Sequence, residues 1–218
     1  MSQHYDNTMS HPRPKVLSMT SHELSTASHS MRDVSFAVVD FETTGLNPET
    51  DRIVQLAAVI VNGEGDIVDS FDTIVKPESP AEYQHGAEHI HGISAEQVSG
   101  GMPLRKALEQ LWSINAGHVF TAHNAPFDLG FLHAESERVG IEGNVEFHID
   151  TLELSRRTTG TDTTRRHNLF ALCEHYGIER DQVHDAKSDA TATAQLLIHL
   201  IKELGVEKPD QVSELFAR

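Results

Sequence analysis

The amino-acid sequence predicts an α/β domain in which helices cover the faces of a mixed β-sheet. The first observation is that three strand-like runs come first, over residues 35–42, 53–61 and 66–75. The second is a turn signal, Asn-Gly-Glu-Gly at residues 62–65, which joins the second and third runs as a hairpin. The third is that short apolar runs then alternate with helix-like segments toward the C-terminus.

Each later element has its own signal. Apolar residues at helical spacing predict helices over residues 104–114, 127–139 and 185–204. Short apolar runs predict strands at 119–122 and 147–150. A further helix is expected over 169–176, because Gly177 is a suitable C-terminal stop.

Composition narrows the class of protein. The chain has 218 residues, with 17 Lys and Arg against 33 Asp and Glu, a net charge of −16. So acidic a chain argues against a long basic groove for nucleic acid, since phosphate contacts need Lys and Arg. The single cysteine, Cys173, excludes a disulfide scaffold and is expected to be a buried thiol. Without a run of ~20 apolar residues or a signal peptide, we expect no membrane association and a cytoplasmic location.

The chain divides into three parts. Residues 1–33 are polar, with Tyr5 as the only aromatic residue, and such a segment buries too little apolar surface to offset its ordering entropy. We therefore expect a disordered arm over 1–33, one ordered domain over 34–205 and a C-terminal tail over 206–218.

Asp40 and Glu42 form the first pair of interest. They lie two residues apart at the end of an apolar strand, so their side chains point to the same face. Two neighbouring carboxylates at a buried strand end repel each other and lose solvation, and a divalent cation offsets both costs. Oxygen ligands favour Mg²⁺ or Mn²⁺ over zinc. The alternative is that both residues simply begin a solvated loop.

Three more residues extend this pattern. Asp128 lies where a predicted strand meets a helix, and its alternative role is to complement the helix dipole. Asp189 adjoins the apolar stripe of the last helix, so we expect it to face the domain. His184 precedes that helix, and an imidazole there can accept a proton from water at neutral pH, unless it is an ordinary loop histidine. Asp185 is interpreted as a helix N-cap.

Taken together, these motifs resemble the DEDDh 3′–5′ exonucleases, and within them the proofreading subunits of bacterial DNA polymerase III. The family's other branch has a tyrosine where this sequence has Asp185, so the histidine branch is indicated. The resemblance implies a ribonuclease H-like fold, with a five-stranded mixed sheet flanked by helices, over residues 34–205. The stretches that carry it are residues 39–46, 123–128 and 184–189, with support from 51–56, 90–93, 150–152 and 166–169.

The resemblance also implies a mechanism, in which two divalent metal ions, Mg²⁺ or Mn²⁺, assist hydrolysis at a 3′ end and release a 5′-mononucleotide. By the same resemblance, Asp40, Glu42, Asp189 and Asp128 hold the metals, and His184 takes the proton from the attacking water. The residues that match the family's substrate-binding positions are Thr43, Thr44, Leu46, Asn124 and Phe127. For Leu46 and Phe127 the alternative is core packing.

Two other groups of residues are open to interpretation. The basic residues Arg156, Arg157, Arg165, Arg166 and His167 flank a Thr-rich loop and either contact phosphates or form a solvated basic surface. His85, His89 and His91 have a spacing that suggests zinc, but no cysteine is near and residues 90–93 match a structural turn of the family. We therefore predict no zinc site there.

The sequence leaves three functions open. The first is a DNA 3′–5′ exonuclease in proofreading or repair, and the second is an RNA exonuclease of the same family. The third is a polymerase-associated binding module. The expected partners are single-stranded 3′ ends, and a DNA polymerase or sliding clamp is also considered. Two segments are considered as a clamp-binding peptide: residues 195–200, which lie inside the last predicted helix, and residues 211–216 in the tail, which are expected to be better exposed but depart from the usual spacing.

Overall fold

A computed structural model describes residues 30–78, 83–159, 164–181 and 184–217. Within these residues the chain forms one six-stranded sheet in the order β4-β3-β2-β1-β5-β6. The expected arm lies outside the described residues up to position 29. The strands are β1 (Ser35–Thr43), β2 (Ile53–Asn62), β3 (Ile67–Lys76), β4 (Met102–Pro103), β5 (Val119–Ala122) and β6 (His148–Asp150).

Helices occupy the chain after β3, in the connections between the later strands and beyond β6. The four predicted helices are present, with ends within two residues of the expected positions. Three short helices were not predicted, because segments of four to eight residues carry too little periodic signal. The helices are α1 (Glu88–His91), α2 (Ala95–Ser99), α3 (Leu104–Asn115), α4 (Ala125–Arg138), α5 (Thr151–Thr158), α6 (Leu169–Tyr176) and α7 (Ala186–Glu203).

The sheet is mixed, as predicted. β1, β2 and β3 form an antiparallel meander, whereas β5 runs parallel to β1, and β6 runs parallel to β5. The expected number of five strands is wrong by one. β4 has two residues, pairs with Val75 and Lys76 at the end of β3, and is too short to show strand alternation in the sequence.

The two faces of the sheet carry separate cores. Phe36 and Val38 of β1 face the long helix α7, which packs across β1 and β2. Val39 and Phe41, with the opposite parity, face α3 and α4. Because helices cover both faces, every residue of β2 is buried. Cys173 is 3% exposed and belongs to the α7 side, which confirms its predicted role.

The C-terminal tail packs against the core on the α7 side of the sheet. Pro209–Leu215 forms a 3₁₀ helix, in which Val212 and Leu215 are fully buried. The ring of Phe216 stacks on Phe147 with centroids 5.2 Å apart. The expectation of an exposed clamp-binding peptide at residues 211–216 is therefore wrong, because its apolar side chains are needed for packing.

Within the described residues, no helix combines the length and the apolar character that crossing a bilayer requires.

Candidate active site

The first two carboxylates extend the buried face of β1. Phe36, Val38, Asp40 and Glu42 alternate along one side of the strand, so the acids lie beyond the apolar core on the face that α7 covers. Both side chains are partly buried. This end of β1 pairs with the beginning of β2, and the register shifts between Glu42 and Thr43. The strand therefore carries two acids to the edge of the core and bends directly after them.

Asp128 approaches from α4. It lies in the first turn of that helix and is only 3% exposed. The backbone of Phe41, the residue between Asp40 and Glu42, lowers the pKa of this carboxyl, against the larger effect of burial. Burial raises the pKa of Asp128 well above its usual range. An acid that only complements a helix dipole has no need of such burial, so the position favours a shared role with the strand carboxylates.

The beginning of α7 supplies the remaining residues. Asp185 caps the helix, as predicted, and accepts a hydrogen bond from the backbone N–H of Ser188 at 2.9 Å. One turn later Asp189 is 8% exposed and faces the domain. His184 is exposed and has a left-handed backbone, with φ of 59°. Ligand atoms of Glu42, His184 and Asp189 all lie within 4.8 Å of one another.

Burial, with smaller contributions from neighbouring charges, raises the pKa values of the four carboxylates. Burial is the main cause at Asp40, and the charges of Asp128, Asp189 and Glu42 add to it, so the pKa of Asp40 lies well above its usual range. Burial and then Asp189 raise the pKa of Glu42 to about 7. Such a group of oxygen donors, costly to ionise together, is what a divalent cation stabilises. The residues present therefore fit a magnesium or manganese site.

Gln55 was not predicted to have a role of its own. Its side chain is 6% exposed, and Nε2 donates to Asp185 Oδ2 at 2.9 Å. Its Oε1 accepts from the backbone N–H of Ala186 at 3.2 Å. Gln55 thus fixes the segment that directly follows His184. The available signal was a polar residue inside the otherwise apolar run of β2.

Arg180 is the second residue that sequence reasoning missed. Its guanidinium Nη2 donates to Asp189 Oδ1 in an ion pair, and its side chain is 9% exposed. Its charge lowers the pKa values of Asp40 and Glu42, against the larger effects that raise them. Nothing in the loop around Arg180 indicates this contact, because only the folded chain brings the loop to α7.

The turn after β1 holds the predicted substrate-binding residues. Thr43 Oγ1 donates to the carbonyl of Gly45 at 2.6 Å, and Thr44 Oγ1 accepts from the backbone N–H of Arg52 at 3.0 Å. These hydroxyls therefore shape the turn. A Cβ at Gly45 would lie 2.5 Å from the Asp51 carboxylate, so a side chain there would force that carboxylate to move. Leu46, at the tip, is 84% exposed, which rules out core packing for it.

The other two predicted contact residues lie at the beginning of α4. Asn124 is exposed and left-handed, with φ of 68°, and its backbone N–H donates to Asp150 Oδ1 at 3.0 Å. Phe127 is partly buried and packs on Phe131 with centroids 5.0 Å apart. Beside them, burial lowers the pKa of His123 to about 4. Phe127 therefore belongs to the core edge, whereas Asn124 is accessible.

Two of the predicted basic residues, Arg157 and Arg165, contact other parts of the chain, and two, Arg156 and Arg166, are exposed. Arg157 donates to the Glu214 carbonyl at 2.9 Å, and Arg165 lies 3.9 Å from Glu203. Loop residues 160–163 are outside the described residues.

In the segment that contains His85, His89 and His91, both ring nitrogens of His91 form hydrogen bonds, one with the Gly86 carbonyl and one with the Ile93 N–H.

Comparison with known proteins identifies the family. The family model described as "Exonuclease" (RNase_T) matches residues 37–197, a range that includes Asp40, Glu42, Asp128, His184, Asp185 and Asp189.

Curated relatives are bacterial replication proteins. The "DNA polymerase III PolC-type" of Staphylococcus saprophyticus is 36% identical over 174 residues, which cover 80% of this chain and 12% of the relative. The protein of the same description from Staphylococcus aureus is 35% identical over 187 residues, covering 84% and 13%. The chain thus spans about an eighth of the length of these relatives.

Solved structures share the fold at low identity. The nuclease domain of 3′hExo, described as a DEDDh family member bound to rAMP, has a TM-score of 0.67 at 17% identity, covering 81% of this chain and 94% of that one. Escherichia coli exonuclease I in complex with a dA16 oligonucleotide has a TM-score of 0.64 at 20% identity, covering 78% and 41%. Exonuclease X with 5′ overhanging duplex DNA has a TM-score of 0.59 at 23% identity, covering 83% and 98%.

Proposed function

The chain belongs to the exonuclease family, and from that premise we propose that it removes 5′-mononucleotides from DNA 3′ ends with the help of two divalent cations. The observation that carries the proposal is the convergence of four carboxylates from three elements. Asp40 and Glu42 come from β1, Asp128 from α4 and Asp189 from α7. Their raised pKa values show that the protein alone does not compensate their charge.

Asp40, Glu42 and Asp189 would hold one cation, and Asp40 with Asp128 would hold the second. When bound, such a pair supplies Lewis-acid stabilisation of the attacking and leaving oxygens and lowers the pKa of water. Asp128 is buried in the first turn of α4, where the surrounding packing restricts its side chain. This rigidity favours a geometry that exists before substrate arrives.

His184 is the proposed general base. It is exposed, so water and substrate reach it, and its ring lies beside Glu42 and Asp189. Water forms a bond to the phosphorus while the bond between phosphorus and the preceding O3′ breaks, and the proton of water passes to the imidazole. Gln55 holds the backbone after His184 through Asp185 and Ala186, which limits the positions that the imidazole can take.

The turn after β1 would hold the terminal nucleotide. Because the Thr43 and Thr44 hydroxyls are engaged in the turn, these residues would contribute chiefly through their backbone. The exposed Leu46 would pack against the last base, since an isolated aliphatic side chain at a turn tip gains by covering a base face. Asn124, exposed at the beginning of α4, would contact the nucleotide at the scissile bond.

DNA is the favoured polymer, because the curated relatives are DNA polymerases of the PolC type. RNA is the second candidate, because the 3′hExo nuclease domain is described as bound to rAMP. The net charge of −16 disfavours tight binding of long nucleic acid. We therefore propose that the substrate is a short single-stranded end, which a polymerase partner delivers. Processive degradation of long duplex by the isolated chain at physiological salt would refute this dependence.

The test is to incubate the purified chain with 5′-labelled single-stranded DNA and RNA oligomers of equal sequence, in Mg²⁺, Mn²⁺ or EDTA. We expect a ladder that shortens from the 3′ end, needs a metal and is absent with Asp40→Ala. The DNA to RNA rate ratio decides between the two polymers.

The matched control is Glu109→Gln, which removes an exposed acid on α3 away from the cluster and should retain the ladder. A ladder that persists in EDTA, or in Asp40→Ala, would show that the carboxylates are not the catalytic site.

A further inference from the structure

Arg180 is a buried cation in the carboxylate cluster for which the proposed hydrolysis has no use. Its side chain is 9% exposed, and its guanidinium is paired with Asp189. Its Nε is buried without a hydrogen-bond partner among the described groups. A buried guanidinium with an unpaired donor is costly, so attraction to the acids must hold it in place.

The charge of Arg180 acts on three of the four acids. Asp40, Glu42 and Asp189 are all stabilised in their ionised form by this one guanidinium. Among the described residues, His184 adds a smaller effect of the same sign at Asp189. Arg180 therefore does, in part, what a divalent cation would do at the same place.

The position of Arg180 in the chain adds a mechanical link. It lies between the end of α6 and His184, in the connection that leads to α7. Its partner Asp189 lies in the first turn of α7. The ion pair therefore fastens this connection to the helix near the end that bears His184.

We propose that Arg180 is a resident counter-cation, which holds the carboxylates together without metal and competes with a divalent cation for Asp189. This inference rests on the proposed metal site. Oδ1 of Asp189 cannot serve both partners at full strength, and two positive charges at one carboxylate repel. Metal binding and the Arg180 pair therefore oppose each other, and by linkage each weakens the other equally.

The experiment is calorimetric titration of the full chain with Mn²⁺, together with thermal unfolding in EDTA and in Mn²⁺. For Arg180→Gln we expect Mn²⁺ to bind about tenfold more tightly, equivalent to about 1.4 kcal/mol. The midpoint of unfolding should fall in EDTA and rise more on addition of Mn²⁺ than for the wild-type chain. Arg180→Lys, which keeps the charge, should lie close to wild type.

The matched control is Arg32→Gln. Arg32 is also paired with acids, Glu64 and Asp66, but at the opposite end of the strands, and its loss should leave the Mn²⁺ affinity unchanged. A second measurement uses the wild-type chain, should Arg180→Gln fail to fold. The Nε–Hε signal of Arg180, assigned by its absence in Arg180→Lys, should shift during titration with Mg²⁺.

Each outcome has a distinct meaning. Unchanged or weaker Mn²⁺ binding by Arg180→Gln, or an Arg180 signal that ignores saturating Mg²⁺, would overturn the competition while leaving the metal site intact. Wild-type chain that binds no Mn²⁺, or binds it equally well after Asp40→Ala, would instead overturn the metal site of the proposed function. Tighter binding in both Arg180→Gln and Arg32→Gln would show a general charge effect, which also overturns the proposal.

Discussion

The two ends of the β1–β2 pair use polar residues in opposite ways. At the end where the turn between β2 and β3 lies, Asn62 is 6% exposed, and its Oδ1 accepts three backbone N–H groups, from Glu64, Gly65 and Asp66, at 2.9 to 3.0 Å. Arg32 pairs with two acids of the same turn. At the other end, Asp40 and Glu42 face further acids, and burial with like charges raises their pKa values.

The difference separates polar residues that stabilise the fold from polar residues that oppose it. Asn62 replaces lost water contacts with protein hydrogen bonds, which is how buried polar groups are normally tolerated. The acids have too few donors, so their ionisation costs stability until a cation binds. A group of acids that destabilises the metal-free chain in this way is expected to have a catalytic or metal-binding role.

The largest expected effect is on Asp40. Asp40→Asn keeps the shape but removes one charge, so exonuclease activity should fall by at least about a hundredfold, since even outer partners of a metal are worth 10 to 100-fold. The metal-free chain should nevertheless become more stable, because three acids no longer face a fourth. Oligomer degradation and thermal unfolding in EDTA measure the two effects. If Asp40→Asn were less stable than wild type, the acids at this end of the strands would not be opposing the fold.

The next largest effect is on stability, at the end of the strands that carries Asn62. Asn62→Ala removes the side-chain acceptor of the Glu64, Gly65 and Asp66 N–H groups, although Gly65 keeps its bond to the carbonyl of residue 62. The free energy of unfolding should therefore fall by about 1.5 kcal/mol. Activity at a temperature well below unfolding should not change. Urea denaturation with a parallel oligomer assay checks both. Loss of activity in the folded variant would mean that the two ends of the strands are not independent.

A smaller effect depends on pH. The pKa of Glu42 is about 7 in the folded chain against 4.5 for an ordinary Glu, so the folded state retains a proton that the unfolded state releases. Stability therefore falls as pH rises from about 4.5 to 7, and the cost is fully present above 7.

Glu42→Gln removes this cost. In EDTA at pH 8 it should be more stable than wild type by about 1 kcal/mol after allowance for solvent screening, and the difference should vanish near pH 4. Denaturation at the two pH values tests this. A difference that is constant with pH would show that Glu42 titrates normally.

The smallest effect is expected for Arg32→Gln. Exposed ion pairs contribute little, so the unfolding midpoint should stay within about 2 °C of wild type. Differential scanning calorimetry at low and high salt is the measurement. A large decrease would show that the turn depends on charge and not on the hydrogen bonds of Asn62.

Local signals in the sequence were sufficient to predict the α/β class, the order of the main elements and the acids of the candidate site. Strand alternation and helical spacing are local properties, so β1, α3 and α7 could be located without tertiary information. Asp40 and Glu42 could be paired because a two-residue spacing on a strand fixes their common face. The remaining acids and His184 were recognised through motif resemblance, and their metal-binding and catalytic roles stay predictions.

Contacts between residues that are far apart in the sequence could not be predicted, because they depend on how the elements pack. β4 forms because β3 offers Val75 and Lys76, and its two residues carry no pattern of their own. Gln55 reaches Asp185 across 130 positions, and the pairing of Arg180 with Asp189 depends on how the α6–α7 connection folds back. Local sequence records propensity and periodicity, whereas burial and long-range charge interactions exist only after the elements pack together.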